Sequence, residues 1–197
     1  MKKLIRCVAM VLMLMPVAGA AQDFDAGLAA ARAGDYATAL QEWRPLAQQG
    51  SVVAQLNLGL MHSEGRGVPQ DYAEAVRWYR LAAEQGMAEA QTFLGGMYLM
   101  GHGVRQSSQE AFRWKLVAAK QGNAIAQSML GVMYFEGDGV VQDFVTSHMW
   151  YNVAAANGHI SAADEREKVA RSLTPTQLSE AQRRARVCMQ SSYQECD

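Results

Sequence analysis

Proline, cysteine and surplus charge are all scarce in this 197-residue chain. It has 4 Pro and 3 Cys, and 18 Lys+Arg nearly balance 19 Asp+Glu, for a formal net charge of −1. That balance excludes the basic stripe that tracks a phosphate backbone, so nucleic acid is not an expected partner. Charged residues make up 19% and hydrophobic ones 50%, which excludes a chain held open by its own charge. Long apolar runs are missing as well. The run at residues 7–18 has about 12 positions, short of the ~20 a membrane-spanning helix needs. What the chain does have is 17 Gly, which mark frequent reversals.

The short apolar run follows Lys2, Lys3 and Arg6 and precedes Ala18-Gly19-Ala20-Ala21. A basic start, an apolar middle and small residues at the end are the three parts of a secretory signal peptide, expected here at residues 1–21. The expected destination is a periplasm, with full secretion as the alternative and no stable membrane insertion after cleavage. Removing residues 1–20 takes three cations and no anion from the 18 and 19, leaving 15 against 19 and a charge of −4. Cys188 and Cys196 also remain, with seven residues between them. An even pair in an exported chain favours a disulfide that staples the tail, with two free thiols as the alternative.

The rest of the chain is periodic. A shift of 36 residues superimposes 51–86, 87–122 and 123–158. Ala54, Ala90 and Ala126 coincide, as do Leu58, Leu94 and Leu130, and Gly59, Gly95 and Gly131. So do the pairs Gly65/Gly67, Gly101/Gly103 and Gly137/Gly139, then Trp78, Trp114 and Trp150. Each unit closes on a glycine, Gly86, Gly122 or Gly158. Within a unit, Ala54, Leu58 and Met61 fall on one helical face, and Ala75, Trp78, Tyr79 and Ala82 on another. Gly65 stands where a helix end calls for a left-handed residue. Asp71 with Glu74 and Ser107 with Glu110 read as capping boxes. Each unit is therefore expected to be two antiparallel helices joined by a Gly-x-Gly-Val loop.

Residues 22–50 form an incomplete copy. Asp35-Tyr36, Ala39, Trp43, Leu46-Ala47 and Gly50 match the second half of a unit, and a helix at about 24–33 precedes them. At the other end, Thr174 reads as an N-cap, Pro175 as a first helical residue, Gln177 as the reciprocal cap and Leu173/Leu178 as a hydrophobic staple. Residues 159–197 are thus expected to hold a capping helix pair, at about 159–170 and 175–190, and a tail. Arg183, Arg184 and Arg186 would give that cap a polar outer face, as a terminal repeat requires.

Helix pairs with this spacing of small, apolar, glycine and aromatic positions resemble tetratricopeptide repeats. The 36-residue period and its loop are similar more specifically to the Sel-one-like repeat family. The fullest copy is AQLNLGLMHSEGRGVPQDYAEAVRWYRLAAEQG, beginning at Ala54. The resemblance covers roughly residues 35–158 and implies an all-α solenoid of about five antiparallel helix pairs in a right-handed superhelix. It further implies a non-catalytic adaptor or scaffold for other proteins in the bacterial cell envelope. Some cysteine-rich members are linked to β-lactam binding or hydrolysis, so an envelope hydrolase or β-lactam-binding enzyme is the alternative function. The Cys pair those members carry in each repeat is absent here.

Catalytic chemistry is hard to find. His62, His102, His148 and His159 occupy unlike places in the repeat, without the i, i+4 convergence of metal ligands. Gly65-Arg66-Gly67 and its echoes lack the third glycine of a dinucleotide loop, having Gln70, Gln106 and Gln142 in that place. No cofactor or metal is expected. The surface available for binding is the inner wall. In the resembling arrays the first helix of each pair lines it, which carries over to Leu56, Asn57, Leu60 and Ser63. The second unit gives Thr92, Phe93, Gly96 and Leu99, and the third Ser128, Met129, Val132 and Phe135. The set is apolar and aromatic with no Lys or Arg, and Glu64, Glu89 and Glu136 lie nearby. A peptide segment with apolar anchors and basic flanks is the expected partner. The opposing expectation is that tight curvature buries these side chains.

Overall fold

The computed structural model describes residues 23–196; the expected signal peptide lies outside them. Ten α-helices follow one another: α1 (Phe24–Arg32), α2 (Tyr36–Gln48), α3 (Val52–Glu64), α4 (Tyr72–Glu84) and α5 (Ala88–Met100). Then come α6 (Ser108–Ala119), α7 (Ala124–Glu136), α8 (Phe144–Ala156), α9 (Ala162–Ala170) and α10 (Pro175–Gln190). No strand occurs among the described residues. Each helix from α1 to α8 packs on the next and α10 returns to α8, so the molecule is an all-α solenoid of about five helix pairs.

The repeat sets the carboxy end of each first helix and caps the amino end of two of the three, α5 starting at Met87 without a side-chain cap. Ser51 Oγ accepts from Ala54 N, and Asn123 Oδ1 from Ala126 N. The helices stop at Gly65, Gly101 and Gly137, with φ of 69°, 70° and 76°. A second left-handed glycine follows two residues on. At Gly139 any side chain would collide with the backbone of Ser108, so this glycine lets the loop lie against the start of the preceding unit's second helix. The loop then closes on its own helix: Gln70, Gln106 and Gln142 donate through Nε2 to the carbonyls of Ser63, Leu99 and Phe135.

That closure changes the expected capping boxes. Asp71 accepts from the amides of Ala73 and Glu74, and Ser107 from that of Glu110. The reciprocal half is missing, because the Asp71 amide already donates to His62 O and the Ser107 amide to Tyr98 O. Glu74 and Glu110 turn instead to Arg77 and Arg113. Only Thr174 with Gln177, at the start of α10, forms both halves.

Ala54, Leu58 and Met61 of α3 are buried with Ala39, Trp43 and Ala47 of α2 and Trp78 of α4, so this core cluster bridges two units. A second joins α4 to α5 through Ala75, Tyr79, Ala82, Ala90 and Leu94. Close approach depends on glycine. The Tyr79 ring lies so near Gly59 that a β carbon there would overlap it, and Gly131 meets Tyr151 in the same way at 2.9 Å. Helix α9 starts at Ala162, about three residues later than expected, because a turn closed by His159 N to Ala154 O comes first. Helices α9 and α10 both pack on α8.

Candidate functional site

The face shared by α3, α5 and α7 carries the expected binding residues. Phe93 and Met129 are each 40% exposed and Phe135 is 39% exposed. Leu56, Asn57, Leu60, Ser63, Thr92, Gly96, Leu99 and Val132 are half-buried. Leu56 and Leu60 lean on the second core cluster, while Val132 packs with Tyr151, Ala154 and Val169. Ser128 is a correction: it is only 7% exposed, its short side chain lying below the surface that its neighbour Met129 reaches. Packing on neighbouring helices therefore buries part of this face and leaves its largest side chains in contact with solvent.

Those large side chains are backed by rings. Phe93 stacks on Tyr79 with centroids 5.3 Å apart, and Phe135 packs on Phe144 at 5.4 Å. A ring supported from behind loses little freedom when a partner covers its front, which suits it to anchor a contact. Tyr79 itself is locked from below by a 3.1 Å hydrogen bond shared with Ser63 Oγ. Burial pushes its hydroxyl up to about 12, so it stays protonated. Toward the amino terminus the same face opens into a cavity of about 340 Å3 between α1, α2 and α3, walled by Leu28, Tyr36, Trp43, Asn57 and Leu60. Glu64 and Arg66, paired at 2.6 Å, also line it. Glu64, Glu89 and Glu136 are exposed.

The sequence reading missed Lys115. It occupies the register of Tyr79 and Tyr151, each 36 residues away, and is 3% exposed. Burial pulls its ammonium down to about 8. The signal was present in the 36-residue superposition, where one cation stands between two tyrosines. A second omission is a set of buried glutamines. Gln55, Gln91 and Gln127 donate through Nε2 to the carbonyls of Ala47, Ala83 and Ala119 at the end of the preceding helix. Their Oε1 atoms accept from Gln85, Gln121 and Asn157, 30 residues on, at 2.7–2.8 Å. These rungs tie successive units together.

Other candidate chemistry stays dispersed. His102 stacks on Tyr72, whereas His62 and His148 are lowered by burial and carry unpartnered Nδ1 atoms. Among the described residues no three His, Cys, Asp or Glu side chains group as metal ligands, and no helix is long and apolar enough to cross a membrane. A larger cavity, about 660 Å3, lies on the loop side around Tyr98, Arg105 and Gly139, but no buried side chain lines it. Cys188 and Cys196 form a disulfide with Cα atoms 4.4 Å apart.

Stacked helix pairs at a fixed period define an all-α repeat solenoid. The Sel1 repeat family model matches residues 52–87, 88–123 and 124–159, over half of the sequence, and the chain belongs to that family. Those frames begin one residue after the 51–158 division. The fold is similar to that of a protective antigen present in uropathogenic Escherichia coli strains, which displays an SLR fold. Identity there is 39% and the TM-score 0.68, over 71% of this chain and 31% of that one. A Sel1 repeat protein from Oxalobacter formigenes is 32% identical with a TM-score of 0.68, over 71% of this chain and 58% of that one. The chain thus spans less than two thirds of either neighbour. Comparison with curated proteins gives no match. Sel1 repeat proteins are typically protein-interaction modules, and the fold is generally a non-catalytic scaffold.

Proposed function

We propose that this chain is a non-catalytic adaptor of the bacterial cell envelope, which captures an extended or helical segment of another protein on the α3–α5–α7 face. The observation that carries the reading is the trio Phe93, Met129 and Phe135, large apolar side chains about two-fifths exposed on one repeat face. The rings behind two of them hold those contacts ready, and the apolar cavity at α1–α3 offers a pocket for one anchoring side chain. Exposed Glu89 and Glu136 suit basic residues flanking the segment, whereas Glu64 is paired with Arg66. Export to the periplasm is part of the proposal; the leader pattern at residues 1–21 and the paired Cys188 and Cys196 support it.

Affinity capture from an envelope extract, with Phe93→Ala and Phe135→Ala beside the wild type, tests the reading. Losing an exposed anchor of this kind costs about 1–2 kcal/mol of binding, so the double variant should release the captured protein at moderate dilution. Its helical circular dichroism should stay unchanged. Equal capture by both proteins would remove the face from consideration.

A further inference from the structure

The repeats on either side of Lys115 place tyrosine at its position, Tyr79 before it and Tyr151 after it. Its stem uses the space those rings use, with Cγ 3.0 Å from where a β carbon on Gly95 would stand. The residue is 97% buried, at 3% relative exposure, and its ammonium has neither a hydrogen bond nor an ion pair. The fully sealed, unpartnered polar atoms among the described residues are His62 Nδ1, Trp78 Nε1 and His148 Nδ1. Lys115 Nζ is not one of them, so the ammonium keeps a narrow opening. By the register of the repeat, the ammonium corresponds to the Tyr79 hydroxyl. Tyr79 reaches Ser63 Oγ and lies under Phe93, two positions of the binding face. One unit later those positions are Leu99 and Met129. Neither offers the oxygen that Ser63 supplies, which explains the missing partner.

We propose that Lys115 receives a carboxylate from the bound segment: an Asp or Glu side chain placed between that segment's apolar anchors. The inference deepens the reading of this face as a peptide-binding surface and rests on it. A purely apolar segment would close the opening over an unpaired ammonium, at the full cost of desolvating a lone charge. A basic residue at that spot would be repelled. A carboxylate gives the cation its first partner in a water-poor site, where an ion pair gains most from complementarity. Glu89 and Glu136 disfavour a further acid elsewhere on the face, and Arg66, toward its amino end, is already paired with Glu64. Lys115 thereby sets the register in which the segment lies. With the ammonium held at about 8, it remains mostly charged at neutral pH.

The test is selection of a displayed library of random 12-residue peptides on the full mature chain, on Lys115→Met, and on the Phe93→Ala/Phe135→Ala variant. Wild-type selections should converge on an acidic residue flanked by apolar ones. Changing that residue to Asn or Gln in a synthetic peptide should weaken binding about 10-fold to wild type and hardly at all to Lys115→Met. Lys115→Arg should keep part of the preference. Peptides that need Phe93 and Phe135 but tolerate loss of their acid would overturn the role of Lys115 and leave the binding face standing. Peptides indifferent to Phe93 and Phe135, or no enrichment on any of the proteins, would overturn both.

Discussion

Replacing Lys115 by Met should make the unliganded protein more stable. Met keeps the unbranched stem against Gly95 and removes only the ammonium, which has no partner to lose. Burial lowers that ammonium from 10.5 to about 8, and at about 1.4 kcal/mol per unit the cost of keeping it charged is roughly 3 kcal/mol at neutral pH. For a domain of this size the variant should melt roughly 6–12 °C higher. The sign of the pH dependence follows from the same shift. Between about pH 8 and 10.5 the unfolded lysine still binds a proton that the folded one has released, so wild-type stability rises through that window. Lys115→Met lacks this gain, and the gap between the two proteins should shrink as pH climbs from 8 to 10.5. Tyr79 and Tyr151, both pushed up to about 12 by burial, act oppositely above pH 10 but equally in both proteins, and cancel in the difference. Urea melts at pH 7 and pH 10 measure the gap. A variant no more stable than wild type at pH 7, or a gap that ignores pH, would refute the argument.

Gln127 should be costly to remove. Gln127→Ala strands Ala119 O and the Asn157 amide, both tied to it now at 3.0 and 2.7 Å, and should lose roughly 2–4 kcal/mol in chemical denaturation; a loss under about 0.5 kcal/mol would mean that the rung carries no stability. Gly59→Ala should destabilise by roughly 1–3 kcal/mol, because its new methyl overlaps the Tyr79 ring, itself fixed by Ser63 and Phe93. Gly95→Ala should cost clearly less, since its nearest neighbours, Lys115 Cγ at 3.0 Å and Ala111 O at 3.2 Å, stand farther off than the Tyr79 ring does at Gly59; equal losses at the two glycines would contradict the idea that a locked ring sets the helix spacing.

The helices were legible because one face of each repeats Ala, Leu and Trp at helical spacing. The 36-residue superposition then turned local periodicity into a stack. What the pattern of a single helix conceals is any group whose partner lies on another helix. Gln55 reads as an ordinary polar position beside Ala54, yet its partners are Ala47 O and Gln85 Nε2, 8 and 30 residues away. The same limit explains the half-formed boxes: Asp71 and Glu74 have the right spacing, but the Asp71 amide is claimed by a carbonyl across the loop. The proposed binding face was legible as a set of positions and not as degrees of exposure. Ser128 and Met129 are neighbours on one helix, and only the packing of α7 decides that the first is covered and the second is not.

At the α10 end the helix, its Thr174/Gln177 cap and the disulfide were legible, but not how they close the core, whose physics differs from that of the repeats. The core under α7 and α8, with Leu130, Met149, Trp150 and Val153, is closed by Ala185 and Cys188 of α10 and by Cys196 of the tail. To bring Cys196 back, the chain reverses through Ser192 and Tyr193, two non-glycine residues at φ of 53° and 67°, each strained by roughly 1–2 kcal/mol. Three contacts hold the reversal. The Tyr193 hydroxyl donates to Asn157 Oδ1 at 2.8 Å, lengthening the third glutamine rung, its ring lies over Gly122, and the disulfide joins Cys188 to Cys196. Gly122 thus ends one unit and receives the tail of the whole chain; a β carbon there would come within 3.0 Å of the ring. Outside, Glu180 binds Arg183 and Arg184 at 2.7 and 2.8 Å, presenting charge where a further repeat would need an apolar face. The disulfide therefore belongs to the closing of the core at the α8–α10 end, far along the stack from the α1–α3 cavity.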